Sequence, residues 1–171
     1  MKISILLPYK ENFSPIYAGA VSLFVKDTTN ISKYKKYITV YGNTKLKKIY
    51  KLNYKNINLK KDIIQSNSKI YINEFLKFER KDSSDVLEIH NRPAYIDPIS
   101  QHINGKIVLY FHNDPLSMSG SKSVAERIKI LNKTSKIIFN SEWSKKRFLT
   151  NLDKFYHKSN ILEVIHQSTN R

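Results

Sequence analysis

Polar side chains follow two apolar, β-rich runs of this sequence, at the points where the runs end. Ile107 to Phe111 is followed by His112, and Ile137 to Phe139 is followed by Asn140. Short apolar runs are typical of parallel sheets covered on both faces, and such sheets bind ligands beyond the carboxyl ends of their strands. A histidine there can donate to a sugar hydroxyl or a phosphate oxygen. His112 is therefore the leading candidate for chemistry, and the alternative is a structural histidine with satisfied hydrogen bonds.

The groups that follow the other predicted strands would meet His112 at one rim of the same sheet. Gly19 opens a predicted helix, and its missing side chain would let backbone amides approach a phosphate. The candidates along the chain are Tyr9, Ala18, Gly19, His90, Arg92, His112, Asp114, Ser141 and Glu142.

Several enzyme classes are excluded by what the sequence lacks. The four glycines are too far apart for a dinucleotide fingerprint or a P-loop, so no cofactor is expected. There is no Asp-x-Asp pair and no His-x-x-x-His, so we expect no metal site. The absence of cysteine excludes disulfides and thiolate chemistry, and no Gly-x-Ser-x-Gly elbow is present.

Strands and helices alternate along the sequence, which predicts one α/β domain with a mostly parallel, Rossmann-like sheet and helices on both faces. The segment from 45 to 58 is ambiguous between a strand and an irregular insertion. The predicted strands cover 2–7, 37–41, 85–89, 107–111, 137–139 and 161–165, and the helices cover 20–30, 68–81, 95–103, 123–132 and 141–149.

Local signals define the ends of these helices. Ser123 and Glu126 form a capping box, and Ser141 is a good N-cap. Gly105 is expected to end the helix that precedes it. Residues 117–121 are expected to form a mobile loop, and Trp143 is assigned to the core rather than to a stacking surface.

The chain carries a net charge of +16, almost entirely from lysine. Ten lysines and no acid occur between Thr28 and Lys61, interleaved with tyrosines, and such a patch could contact an anionic membrane. Nucleotide bias in an AT-rich genome explains the lysines equally well. The candidate membrane contacts are Lys47, Lys48, Lys51 and Lys55.

The amino terminus has one lysine and an apolar run too short for a signal peptide. No segment reaches the roughly 18 consecutive apolar residues that a membrane span needs. We therefore expect a cytoplasmic protein, with peripheral association at the inner face of the plasma membrane as the accompanying hypothesis.

Four segments, in their order and spacing, resemble the amino-terminal domain of family 4 glycosyltransferases, which have the GT-B fold. The resemblance covers nearly the whole chain. The segments are residues 2–8 (KISILLP), 85–93 (DVLEIHNRP), 107–112 (IVLYFH) and 137–144 (IIFNSEWS).

The resemblance implies two Rossmann-like domains around a cleft and a retaining, metal-independent transfer from a nucleotide-sugar donor to a glycan or lipid-linked acceptor. By resemblance, His112 lies beside the donor sugar, and Ala18 and Gly19 lie in the loop that approaches the donor diphosphate. His90 and Arg92 match the acceptor wall. Two departures are the single glycine at this loop and the sequence after residue 165, which lacks the usual Asn-Gly turn.

The second domain of that family binds the nucleotide and carries two glutamates seven residues apart, a pair that this sequence lacks. We therefore expect residues 1–171 to be one half of an enzyme, inactive without the carboxy-terminal domain. The competing hypothesis is a basic binding module in which residues 32–61 hold an anionic membrane or nucleic acid, with nucleic acid ranked last.

Overall fold

The computed structural model describes residues 1–59, 65–157 and 159–167. Seven parallel strands form one sheet in the order β3-β2-β1-β4-β5-β6-β7, which confirms the predicted α/β, Rossmann-like fold. The strands are β1 Ile3–Leu6, β2 Ile38–Gly42, β3 Tyr54–Asn56, β4 Val86–His90, β5 Lys106–Phe111, β6 Lys136–Phe139 and β7 Leu162–Val164.

Helices connect these strands, and serines begin three of them. Ser66, Ser123 and Ser141 each accept a hydrogen bond from the backbone amide three residues ahead, and Ser123 forms the predicted capping box with Glu126. The helices are α1 Ala20–Ile31, α2 Asn67–Lys81, α3 Ile96–Ser100, α4 Val124–Lys133, α5 Glu142–Leu149 and α6 Lys154–His157, with 3-10 turns at Lys35–Tyr37, Pro93–Tyr95 and Pro115–Ser117.

The alternation of side chains along the strands divides the core between the two faces of the sheet. In β1, Leu6 belongs to the larger cluster, which includes side chains of α2, α3, α4 and α5. Ile5 belongs to a smaller cluster, in which Val21 and Val25 of α1 pack against β1 and β2. Each fully buried aliphatic or aromatic side chain contributes about 1.5–3 kcal/mol to folding. The sheet therefore holds its carboxyl edge rigidly.

Two predictions about the region before β5 were wrong. The predicted helix over 95–103 is the short α3, which ends at Ser100, so Gly105 does not cap it. A Cβ on Gly105 would lie 2.1 Å from the backbone oxygen of Ser84, and the glycine is required by this close approach. A glycine soon after a helix looks the same in the sequence whether it caps the helix or permits a close approach of two backbone segments. The sequence alone therefore led to the wrong role for Gly105.

The segment predicted to be a mobile loop contains defined structure. It begins in the 3-10 turn Pro115–Ser117, and the buried hydroxyl of Ser121 donates to the carbonyl of Pro115. Gly120 has a φ of +93°, a conformation that favours glycine, and a Cβ there would lie 2.4 Å from the backbone nitrogen of Ala94.

Trp143 is 58% exposed, so its assignment to the core was wrong. It occupies the first turn of α5, whose buried face is taken by Phe148 and Leu149. The ambiguous segment 45–58 contains both alternatives, because β3 follows an irregular stretch. Helix α6 was not predicted.

Among the residues that the structure describes, no helix is both long enough and apolar enough to cross a lipid bilayer.

Candidate functional site

His112 follows β5 directly and is held through its backbone by two asparagine side chains. Its amide donates to Asn91 Oδ1 at 2.9 Å, and its carbonyl accepts from Asn140 Nδ2 at 2.7 Å. These asparagines follow β4 and β6, the two neighbours of β5 in the sheet. Asn91 has a φ of 53°, which asparagine tolerates better than most residues. The carboxyl ends of three adjacent strands therefore fix the position of His112.

The His112 imidazole is packed among rings and hydrogen-bonded at both nitrogens. Its Nε2 lies 2.9 Å from His90 Nδ1, and its Nδ1 contacts the side-chain amide nitrogen of Gln167. Phe24 of α1 packs edge-on against it, with ring centroids 5.0 Å apart. Tyr110 stacks on His90 with nearly parallel rings. We call His90, His112, Phe24 and Tyr110 the histidine cluster.

The pKa of His112 is lowered to about 3, chiefly by burial and to a smaller extent by the neighbouring His90. Gln167 acts in the opposite direction through its hydrogen bond. His112 is therefore neutral near pH 7 and can exchange hydrogen bonds with a ligand without carrying a charge.

The hydrogen-bonded chain through the histidine cluster favours one tautomer of His112. Glu88 Oε2 lies 3.4 Å from His90 Nε2, an atom that is buried and has no well-aligned hydrogen bond among the described residues. The carboxylate can only accept, so with one proton on each ring it favours a proton on His90 Nε2. His90 Nδ1 then accepts from His112 Nε2.

This assignment leaves His112 Nδ1 as a hydrogen-bond acceptor. The side-chain nitrogen of Gln167, which is a donor, faces that atom and so agrees with the assignment from the other end of the chain. A ligand that replaced Gln167 would meet an acceptor, which suits a hydroxyl better than a phosphate oxygen. This tautomer therefore favours a hydroxyl over a phosphate oxygen as a partner of His112 Nδ1.

Gly19 is the N-cap of α1, as the sequence predicts, and Ala18 precedes it, half-buried. The carboxylate of Glu11 lies against Gly19 and accepts from the amide of Ser22 at 2.9 Å. A Cβ on Gly19 would lie 2.1 Å from Glu11 Oε1. The anion at this helix start is therefore a side chain of the protein, and a donor diphosphate that used these amides would have to displace it.

The other predicted site residues lie at the same edge of the sheet, but they differ in burial and in their contacts. His90 is 1% exposed and contacts His112 rather than solvent, so burial keeps it from forming the cleft surface that was expected of it. Arg92 is half-buried and donates to the carbonyl of Asn91 at 2.7 Å. Tyr9 lies apart from the histidine cluster, in a cavity formed with residues that follow β2 and β3.

Asp114, Ser141 and Glu142 serve the local structure. Asp114 accepts from the amide of Leu116 and forms an ion pair with Arg147 at 3.1 Å, and the hydrogen bond from Arg147 lowers the pKa of this carboxyl. Ser141 caps α5, and Glu142 is exposed in the first turn of that helix.

The predicted lysine patch is divided between different parts of the surface. Lys51 lines a cavity of about 570 Å³ with Lys33, Lys35 and Lys36, before the amino ends of β2 and β3. Lys55 instead lies over the rings of Tyr41 and Phe78. Lys47 and Lys48 are exposed, and Lys60 and Lys61 lie outside the described residues.

Sequence reasoning missed the residues that hold and surround His112: Asn91 and Asn140, Phe24, Glu88 and Gln167. Asn91 and Asn140 carried a usable signal, because Asn140 directly follows a predicted strand and Asn91 stands two residues after another. Glu88 and Phe24 carried none, since their contacts depend on the order of the strands and the face on which α1 packs. Within the described part of the chain, no three His, Asp or Glu side chains are grouped so that they could hold a metal ion.

No family model matches the chain, and no curated protein matches it by sequence. Solved structures do match. Anabaena HepE in complex with UDP-glucose aligns with a TM-score of 0.63 at 13% identity, over 99% of this chain and 45% of that one. The same protein with UDP and glucose gives 0.64 at 13% identity, with the same coverage.

Sucrose-phosphate synthase from Thermosynechococcus elongatus aligns with a TM-score of 0.65 at 9% identity, over 99% of this chain and 49% of that one. These neighbours are GT-B glycosyltransferases, and the chain spans about half of their length. At such low identity the likeness concerns the fold: the chain has the Rossmann-like fold of one half of a GT-B glycosyltransferase.

Proposed function

We propose that this chain is the amino-terminal, acceptor-side domain of a retaining, metal-independent glycosyltransferase resembling family 4. The complete enzyme would transfer a sugar from a nucleotide sugar to a glycan or lipid-linked acceptor in cell-envelope polysaccharide or glycolipid synthesis. The observation that carries the proposal is the alignment of 99% of the chain with about half of an enzyme structure that holds UDP-glucose.

The geometry around His112 supports this function. The asparagines on both sides fix its backbone at the carboxyl edge, where parallel sheets bind their ligands. A neutral imidazole with an accepting Nδ1 can receive a hydrogen bond from a sugar hydroxyl once Gln167 moves away. His112 would thus orient the sugar.

The experiment compares the 171-residue chain alone with the same chain supplied with, or joined to, a nucleotide-sugar-binding second domain. Transfer from UDP-glucose is expected only with both parts. In the complete enzyme, His112→Ala should lower kcat/KM by about fivefold or more, because one hydrogen bond to a sugar contributes about 1 kcal/mol or more.

A matched control is Lys146→Ala, which removes an exposed side chain from α5 and should leave turnover nearly unchanged. Sugar transfer by the chain alone, or full activity of the His112→Ala enzyme, would contradict the proposal.

A further inference from the structure

A polar cavity of about 610 Å³ lies at the carboxyl edge of β1, β2 and β3, on the side of the sheet order away from β5. Its size is within the range of small-molecule sites. We call it the amide cavity, because four asparagines contribute to its lining: Asn43, Asn56, Asn58 and Asn67. Tyr9 adds an aromatic ring, and Lys45 is the one charged residue among the described residues of the lining.

The floor of the amide cavity is held in place by hydrogen bonds. Asn56 Oδ1 accepts from the amide of Thr44 at 2.8 Å and lies 2.9 Å from the hydroxyl of Tyr54. The other end of the Asn56 amide donates to Asn58 Oδ1 at 2.7 Å. Asn43 donates to the carbonyl of Ile57. These bonds orient the amides before any ligand arrives, which reduces the entropy cost of binding.

Three of these asparagines use one end of the side-chain amide in a hydrogen bond to a described residue, whereas Asn56 uses both ends. Asn43 Oδ1, Asn58 Nδ2 and Asn67 Oδ1 have no hydrogen bond to another described residue. Asn67 donates to the hydroxyl of Tyr9, which leaves the phenol proton available. The described part of the lining therefore offers donors and acceptors together and includes no carboxylate.

This mixture selects one class of ligand. A sugar hydroxyl both donates and accepts, so a row of hydroxyls can pair with alternating amide oxygens and nitrogens. The ring of Tyr9 provides an apolar surface for the carbon face of a sugar. A phosphate needs several donors or cations, and the described part of the lining supplies Lys45 as its single cation.

We propose that the amide cavity binds a neutral saccharide, as the sugar-recognition subsite for the acceptor. The assignment of the saccharide to the acceptor rests on the proposed function, but the binding itself does not. A free glycan and the head group of a glycolipid share this chemistry, and the experiment separates the two.

The test is an NMR titration of the whole 171-residue chain with maltose, lactose or chitobiose, with inorganic phosphate as the anionic comparison. At least one disaccharide should give saturable shifts of the asparagine side-chain amides, with a Kd in about the millimolar range that is expected for a small polar ligand. Changing the salt concentration should leave this Kd unaltered, since the ligand is neutral. Phosphate should give no saturable shift.

Asn58→Ala and Asn67→Ala remove exposed side chains, so the variants should fold, and each should weaken disaccharide binding by about fivefold, the value of one hydrogen bond of about 1 kcal/mol. Asn73→Ala, on the exposed side of α2, is the matched control and should bind as the unmodified chain does. If the natural ligand is the head group of a glycolipid, dodecyl maltoside below its critical micelle concentration should bind more tightly than maltose. If the natural ligand is a free glycan, the two should bind equally.

Absence of saturable shifts with all three disaccharides, or equal binding by Asn58→Ala and Asn67→Ala, would overturn the saccharide site. The proposed function has a separate outcome. Disaccharide binding without any transfer by the two-part enzyme would contradict the proposed transferase function and support the saccharide site. Transfer without disaccharide binding would contradict the saccharide site and support the transferase function.

Discussion

The histidine cluster and the amide cavity lie at the same edge of one sheet, yet they hold their polar groups in opposite ways. In the histidine cluster, His90 is 1% exposed and lies against aromatic rings, and its Nδ1 pairs with His112 Nε2 within the protein. In the amide cavity, Asn58 and Asn67 are exposed and keep half of each amide unpaired among the described residues.

The difference follows from the position of each region in the sheet. The cluster follows β4 and β5, which have neighbours on both sides, whereas the cavity borders β3 at the end of the sheet order. Central strands bring large side chains together, and an edge leaves room for a cavity. The side chains of the cluster therefore contribute to the stability of the fold, whereas the exposed asparagines of the cavity can be replaced with little effect on it.

Stability measurements should separate the two regions most strongly. His90→Ala would remove a buried ring that stacks on Tyr110 and would leave a void and an unpaired His112 Nε2. We expect the free energy of unfolding to fall by about 2–3 kcal/mol. Asn58→Ala should change it by no more than about 0.5 kcal/mol, because the side chain is exposed. Urea denaturation measures both values, and equal effects would remove the distinction.

Acid titration should show a contribution from His112 that the amide cavity lacks. The pKa of His112 is lowered to about 3 in the folded chain, whereas an unfolded histidine titrates near 6.5. Between these values the unfolded state binds a proton that the folded state does not, so stability falls as the pH is lowered from about 6.5 towards 3.

His112→Gln removes this contribution, so its free energy of unfolding should decline less steeply with acid than that of the unmodified chain. Asn58→Ala should keep the original pH dependence, since it changes no titratable group. Urea midpoints measured at several pH values provide the comparison, and parallel curves for the unmodified chain and His112→Gln would mean that His112 is not buried as a neutral group.

The sequence predicted the sheet well because the information was local. The run from Ile107 to Phe111, the capping box at Ser123 and the cap at Ser141 each depend on a few adjacent residues. The parallel arrangement alone predicts that the groups following the strands lie at one edge of the sheet. The alternation of strands and helices already implied this arrangement.

The contacts within the candidate site could not be predicted in the same way. His90 and His112 are 22 residues apart and meet because β4 pairs with β5 in the register that places His90 beside Tyr110. The sequence indicates neither the neighbour nor the register. The amide cavity depends on the pairing of β3 with β2, in the segment whose secondary structure was ambiguous.

The smallest effect that distinguishes the two regions concerns the position of one proton. Glu88→Gln replaces the carboxylate beside His90 with an amide, which can present either an acceptor oxygen or a donor nitrogen. The preference for a proton on His90 Nε2 is then lost, and with it the preference for an accepting Nδ1 on His112. Long-range ¹⁵N–¹H NMR of the imidazole rings should show Nε2 protonated on His112 in the unmodified chain and a mixture of tautomers in Glu88→Gln.

Glu163→Gln is the matched control, because Glu163 lies on β7 and pairs with Lys136. Its imidazole spectrum should equal that of the unmodified chain, as should the spectrum of Asn58→Ala. An unchanged His112 tautomer in Glu88→Gln would mean that Gln167 alone determines it. The orientation of a bound sugar would then depend on the residues that follow β7 rather than on the buried side of the cluster.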